Sequence, residues 1–549
     1  MSGLHTFIDT PRQNNRRWFL KQVLALVGVS FAGRYLAGCA DVGRDRPIQG
    51  GIVGSGSSIG HMIRDGKAFP PPSQEVRTGI LIIGGGISGL SAARWLQKKG
   101  AENVIMVEMG DETGGNSIFG QNKVSAYPWA AHYLPIPDVA NTTLIEFLTE
   151  IGVITGFTDG VPAYNEYHLC HDPEERLYID GYWQEGLIPK FGITREDEAQ
   201  IARFMKQAED HRSAKGNDGK FAFCIPLDAS SADEEYRKLD RISFRQFLND
   251  NGYTSKPLLW YLEYCCKDDY GSGLDSTSAW AGMHYFASRR GKATNASSSA
   301  VLTWPEGNGY LMSALRKHNT YPVRTGLAAF SVANTDTGVS VDCYDGGKKS
   351  TVRIVADKVL LCTPQHVNKY LLKQVNAERS IYDKVHYAPW VVANVTCDGV
   401  PEGKGTALCW DNVVYGRQSV GYVFANHQNL VRKNEGVLTW YLPFTEGSPK
   451  DARKAIYNKT IEDWKKLVLE DLAYAHPGIE AFVTRIDVKV WGHGMIQPVP
   501  GYVWGADRTE AMRAIDGRIF FAHSDLSGIS IFEEAFSQGI RAAEEMLAG

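Results

Sequence analysis

Residues 76–96, VRTGILIIGGGISGLSAARWL, restrict the possible folds more than any other stretch of the chain. The apolar run before Gly84 predicts a strand buried on both faces, because it offers no alternating polar side to water. Gly84, Gly86 and Gly89 then fit the spacing G-x-G-x-x-G. The first makes a tight turn, the second lets backbone approach a pyrophosphate, and the third lets a helix pack closely on the strand. Ile87 and Ser88 open that helix, and Ile87, Leu90, Ala93 and Leu96 recur along one face of it. Its N-terminal amides suit phosphate charge. A second apolar run, Asn103 to Val107, ends on Glu108, where an acidic side chain can accept ribose hydroxyls. Strand, turn, helix, strand and acid in that order predict a dinucleotide-binding α/β unit.

Charge excludes one class of partner. A net charge of −4 and a pI near 6.4 provide no basic field for nucleic acid. The length of 549 residues leaves room for two or more domains at roughly 150 residues each. Of the nine cysteines, the eight after Cys39 are scattered without zinc-like pairs and read mainly as core residues; the vicinal Cys265–Cys266 reads as a buried pair before a redox-active one. His168, Cys170 and His171 in YHLCH lack a second ligand pair, and no metal site is expected.

Further segments refine the dinucleotide reading. Gly114, Gly115 and Asn116 follow Glu108 and can bring a second backbone segment to the pyrophosphate. Near the chain end, Ile519 to Ala522 reads as a short strand, followed by a polar turn and a helix with Phe532, Ala535, Phe536, Gly539 and Ile540 on one face. Together with ADKVLLCTP, Ala356 to Pro364, these pieces resemble the flavin-containing amine oxidase superfamily, which includes phytoene-desaturase-like and protoporphyrinogen-oxidase-like enzymes. The resemblance spans residues 76–549 and implies an α/β chain: a Rossmann-like FAD-binding domain built from separated segments, with an inserted α+β substrate domain. It assigns Gly84, Gly86, Ile87, Ser88, Gly89 and Glu108 to the adenosine and pyrophosphate end of FAD. Gly114, Gly115 and Asn116 join them, Asp525 takes the ribitol side, and amides from Ile531 onward take the flavin pyrimidine. Ala130, Ala131 and His132 of YPWAAHYLP are placed against the flavin ring, as are Trp491 and His493 of VWGHG.

Two departures from the family pattern carry expectations. Several amine oxidases place a lysine on a central strand, whereas YAPWVVANVTCDG offers Asn394 or Val395 there, and Asn394 in that place predicts slow reaction with O2 and preference for another acceptor such as a quinone. The last cysteine is Cys409, so FAD is expected to be noncovalent. The expected segments are FAD-binding at 76–140, 301–366 and 490–549, and substrate-binding at 141–300 and 367–489.

The N-terminus reads as an address. NRRWFLKQVLALVGVSFAGRYLAGC pairs Arg16 and Arg17 with a short apolar run and ends in a lipobox-like Leu36–Cys39. It resembles a twin-arginine lipoprotein signal, implying removal of residues 1–38, a lipid on Cys39 as membrane anchor, passage through the twin-arginine machinery and a periplasmic or cell-surface location. Residues 39–75, rich in Gly, Ser and Pro, then read as a flexible tether. The expected activity is hydride abstraction from a small or apolar substrate, an amine first by family weight. A desaturase of an apolar substrate and an electron-transfer or assembly lipoprotein without small-molecule turnover are the alternatives.

Overall fold

In the computed structural model, which describes residues 47–54, 57–375, 379–400, 402–431 and 433–549, the run before the glycine turn becomes the strand Pro72–Ile83. It lies inside a seven-stranded sheet. Parallel neighbours are Val104–Val107 on one side and Ser350–Leu361 on the other, in register from Ile80↔Lys358 to Ile83↔Leu361. The first half of Ser350–Leu361 also pairs with Gly338–Asp345, and its second half with Ile519–Phe521. This strand needs no polar alternation because Leu81 and Ile83 enter one core while Ile82 enters another across the sheet. On the Ile82 side, helices Ile87–Lys98 and Phe532–Ala548 lie against each other.

A second sheet of eight strands begins with Ile52–Val53, Val483–Ile496, Tyr387–Cys397 and Gly436–Pro443. Tyr387–Cys397 is buried throughout because its alternate residues serve different layers. Val391, Ala393 and Val395 pack with Trp464, Val468 and Leu472 of helix Ile461–Ala475. Trp390 and Val392 join the core of helices Phe244–Asp250, Lys256–Tyr270 and Ala279–Ala287. The strands of the first sheet fall at 72–107, 323–361 and 519–521, and those of the second at 52–53, 175–185 and 387–496. The strand Val483–Ile496 runs through the expected break between 489 and 490.

The tether expected at 39–75 is corrected for its described part. Ile52 and Val53 extend the second sheet in parallel with Val488 and Lys489. Gln49 N–H donates to Thr484 O at 3.0 Å, and Val488 N–H to Gly51 O at 2.9 Å. Backbone pairing thus captures a Gly-rich segment that composition assigns to solvent. Gly50 has φ +115°, and a Cβ there would fall 1.9 Å from Ile486 O, so glycine serves close approach rather than flexibility. Ser57–Arg64 is helical, and the next strand already begins at Pro72. The signal and Cys39 lie outside the described residues. Among the described residues no helix is long and apolar enough to cross a membrane.

Candidate active site

The glycine turn makes a cradle from its own backbone. Gly84 has φ +105°, and a Cβ at Gly89 would stand 2.0 Å from Gly84 O, so the helix reaches the turn only without a side chain there. A Cβ on Gly86 would meet only Gly115 Cα, at 3.9 Å, which leaves open space over both glycines. Gly114 and Gly115, with φ +139° and +57°, carry the second backbone segment past this turn. Gly85 N–H donates to Glu108 Oε2 and Gly110 N–H to Oε1, each at 2.7 Å, which fixes the carboxylate at the strand end. Burial pushes that carboxyl upward, against the two amide bonds. The buried Ser88 hydroxyl, in the first helical turn, has no partner among the described residues.

Beyond the cradle a cleft offers about 980 Å³ of empty space, open solvent at its mouth included. The sequence-picked Asn116, Ala130, Ala131, His132, Trp491 and Ile531 all line it. Asn116 Nδ2 donates to Gly494 O at 2.6 Å while Asn116 O accepts from Ala131 N–H at 3.1 Å, and Asn308 N–H donates to Ala131 O at 3.0 Å, tying the alanine turn to the second sheet and to the start of helix Gly309–His318. Trp491 Nε1 donates to Trp129 O at 2.8 Å. His132 Nδ1 lies 3.2 Å from Ala130 O and donates to it, so Nε2 is left as an acceptor. Burial holds this imidazole down to about 4, only partly offset by the Ala130 carbonyl. Its ring sits 4.8 Å from Tyr441 and 5.2 Å from Tyr133.

The other picks lie elsewhere. Asp525 is fully buried, and its carboxylate accepts from Tyr387 Oη at 2.5 Å and from Gln365 N–H at 2.8 Å. His493 is stacked on His366 at 4.1 Å and lies off the cleft wall. Asn394 is also off that wall: its Nδ2 donates to Pro128 O at 3.1 Å and its Oδ1 accepts from Thr439 Oγ1 at 2.7 Å. Both ends of the amide are occupied, so it ties strands. The positions on its strand that reach the cleft are Trp390 and Val392. Directly across from Val392 stands Lys489, buried 4.9 Å from the Trp491 ring centroid with its pKa lowered by burial, so a lysine does occur here, one strand away.

The cleft's charged groups, Asp268, Asp269, Arg289 and Glu533, belong to none of the motifs in the sequence. Arg289 Nη2 donates to both Asp269 oxygens and to Tyr133 Oη, each at 3.0 Å. Asp268 and Glu533 have no ion-pair partner among the described residues, and burial pushes each up to about 7. The signals were present as acids inside apolar helices, in CCKDDY and IFEEAF, where an unpaired charge needs a reason. His168 and His171 are held by Trp304 Nε1 and the His427 carbonyl, and the described cysteines are buried thiols.

Residues 87–547 match the family described as flavin containing amine oxidoreductase. The chain belongs to this family. No curated protein matches the sequence. Among solved structures, putrescine oxidase bound to putrescine matches at 17% identity and TM-score 0.63, covering 86% of this chain and all of the other. Cyclohexylamine oxidase from Brevibacterium oxydans IH-35A matches at 14% and 0.58, covering 86% and 98%. A CLA-producing fatty acid isomerase from P. acnes matches at 17% and 0.57, covering 84% and 97%. At such identities the likeness is one of fold. Family membership makes the chain an FAD-dependent oxidoreductase of the amine-oxidase type. The residues fit FAD: Gly86 and Gly115 leave a cradle that a Cβ would fill, the Ser88 hydroxyl is unpartnered, and Glu108 is fixed at the ribose position of the motif.

Proposed function

We propose that the bond oxidised is the carbon–nitrogen bond of an aliphatic amine. The observation that carries this reading is the sign of the cleft. Its single arginine is spent on Asp269 and Tyr133, while Asp268 and Glu533 face the space with no counter-ion among the described residues. A carboxylate substrate, as a fatty acid would be, finds no free cation there, whereas an ammonium group finds two carboxyls and the rings of Tyr133 and Tyr441. Bound FAD supplies the two-electron acceptor. The chain's own residues bring the amine in and take its proton: Glu533, in the first turn of the last helix, has a near-neutral pKa suited to accepting that proton on a carboxylate oxygen. Ala130, Ala131 and Trp491 wall the reacting end against water.

The test is anaerobic mixing with aliphatic amines beside apolar alkenes and porphyrinogen-like compounds. Bleaching of the flavin by amines alone is expected. Bleaching by the apolar compounds alone supports the desaturase reading, and no bleaching by either supports an electron-transfer role.

We also propose export through the twin-arginine machinery, with Cys39 lipidated on the periplasmic or cell-surface side, supported by Arg16, Arg17 and the Leu36–Cys39 sequence. Lysine at both arginines should retain yellow protein in the cytoplasm, and Cys39→Ser should release exported protein from the membrane fraction. Normal membrane localisation of both variants contradicts this. FAD release by acid precipitation checks noncovalent binding. Reoxidation by air against a soluble quinone decides the acceptor, for which O2 and a quinone both remain candidates.

A further inference from the structure

The two most exposed large apolar side chains among the described residues are neighbours in sequence, Leu430 at 80% and Val431 at 72%. They stand in loop 425–435, which joins the antiparallel strands Tyr422–Phe424 and Gly436–Pro443 and so projects from one end of the second sheet. The register fixes which end. Gly436 pairs with Cys397, and Cys397 pairs with Val483. Phe482, 42% exposed, comes just before Val483 and stands over Gly399, where a Cβ would fall 2.9 Å from its ring. Tyr167, 68% exposed, is tied to the same loop, because Gln428 Nε2 donates to Tyr167 O at 3.3 Å and to Leu169 O at 2.9 Å. The base of the loop is firmly held. Ala425 N–H donates to Val437 O at 3.0 Å, Asn426 Oδ1 accepts from Val437 N–H at 2.8 Å, and His427 stacks on His171 with ring centroids 4.0 Å apart. A fixed base keeps the aliphatic tip in water, which is unfavourable until an apolar phase covers it.

The course of the chain says which phase. Gln49 pairs with Arg485 and Ile52 with Val488, both in parallel, so the residues before Gln49 leave the sheet at its Val483 end, the end that carries the loop. Ile48 packs on the core of this sheet, and its carbonyl accepts from Lys465 Nζ at 2.8 Å. Cys39 precedes Ile48 by nine residues, a reach of about 30 Å at most. A lipid on Cys39 therefore brings this end of the sheet to the membrane. The residue types agree with that: exposed Lys433 follows the tip, and Tyr167 and Phe482 flank it as aromatic residues do at a membrane surface. Glu166, Glu435 and Glu480 are also exposed here, so the contact is apolar rather than electrostatic.

We propose that this end of the second sheet lies against the membrane, with Leu430 and Val431 inserted among the lipid acyl chains. The direction of the contact rests on the lipid anchor proposed above at Cys39. Two side chains hold a protein to a bilayer only weakly, so the loop orients a chain that the anchor retains.

The test measures hydrogen exchange of the full-length, FAD-loaded protein with and without vesicles of phosphatidylcholine containing one-quarter phosphatidylglycerol. Amides of residues 427–435 are expected to exchange roughly 5-fold or more slowly on vesicles, and those of 444–448, past the opposite end of strand Gly436–Pro443, to be unaltered. Leu430→Ser combined with Val431→Ser should keep the melting temperature and FAD content of the parent and lose that protection. Equal exchange of the loop with and without vesicles, or protection that survives in the double variant, overturns the proposal. So does protection that is present without vesicles and lost on dilution, which makes the loop a contact between copies of the chain. Fractionation of Cys39→Ser separates this surface from the anchor. If Cys39→Ser leaves the membrane fraction while the parent's loop is unprotected on vesicles, the anchor stands and the surface fails. If Cys39→Ser stays in the membrane fraction while the parent's loop is protected, the surface stands and the lipid on Cys39 fails.

Discussion

Gly86 and Gly89 are both glycine for steric reasons, but the reasons separate under substitution. A Cβ at Gly89 collides with the turn's own backbone, 2.0 Å from Gly84 O, whereas a Cβ at Gly86 meets no protein atom nearer than Gly115 Cα at 3.9 Å. Gly86→Ala is therefore expected to fold with nearly parental stability yet lose FAD affinity by 100-fold or more, because the methyl occupies the cradle. Gly89→Ala should lose stability itself, by about 1–3 kcal/mol. Thermal melts alongside FAD titration of refolded protein separate the two, and a Gly86→Ala protein that retains FAD as tightly as the parent contradicts the cradle. These glycines were readable because their constraint is local: turn, close approach and helix start all fall within one short stretch. Asn394 was misleading for the opposite reason. Its sequence position resembles that of a flavin-side lysine, but whether its amide turns to the cleft is decided by Pro128 and Thr439, from remote segments. Asp268 and Glu533 went unread because neither breaks the apolar period of its helix; only the fold brings them to one cavity.

At the scale of elements, helix Phe532–Ala548 sets the position of the cleft's cofactor-side wall, since Ile531 and Glu533 stand at its start. It is held to helix Ile87–Lys98 at Gly539, where a Cβ would lie 2.2 Å from both Ser88 O and Ser91 Oγ, and Ser91 Oγ donates to Phe536 O at 3.0 Å. Gly539→Ala must push the helices apart, at an overpacking cost of about 1–3 kcal/mol. Because the displaced helices carry Ser88 and Ile531, FAD affinity should fall together with the melting temperature. A variant that melts lower but holds FAD unchanged shows that the helix start is positioned by something else. The edge strand Ile52–Val53 makes a parallel case. Its pairing was hidden because parallel partners lie over 430 residues away, Ile52 against Val488, and Gly-rich composition reads as linker when no partner is known. Gly50→Ala should strain φ +115° and the contact with Ile486 O, freeing the segment to proteolysis at Arg64 and Lys67. Equal protection of parent and variant contradicts a docked segment. The strand, turn and helix around Gly84 were legible in sequence; the neighbours that complete both sheets were not, since strand order is a matter of contacts between distant segments.

For the whole molecule, the buried ionisable groups oppose one another in pH. His132, His284, His366 and His476 are held down to about 4, chiefly by burial. Between about pH 4 and the ordinary histidine value near 6.5, the unfolded chain binds protons that these folded imidazoles refuse, so stability rises with pH across that window. Asp268 and Glu533 are pushed up to about 7 and Glu534 to about 8, again first by burial, and Asp411 is raised as well. Between roughly pH 4 and 8 the folded state keeps protons on these carboxyls that the unfolded chain has already lost, so they lower stability as pH rises. Lowered histidines, His168 and His493 among them, and raised carboxyls, Glu174, Glu175 and Asp240 among them, thus oppose one another below about pH 6.5, and above it only the acids still act. Stability of the FAD-loaded protein should therefore fall from about pH 6.5 toward pH 8, with each pH unit costing up to about 1.4 kcal/mol per titrating carboxyl before solvent screening reduces it. Removing one of those carboxyls should flatten the alkaline limb, so Asp268→Asn is expected to be more stable than the parent at pH 8 and nearly equal to it at pH 5. Chemical denaturation at half-unit steps from pH 5 to 8.5 measures both curves. A parent whose stability still rises to pH 8, or an Asp268→Asn curve as steep as the parent's above pH 6.5, would mean that these carboxyls are not held protonated in the folded protein.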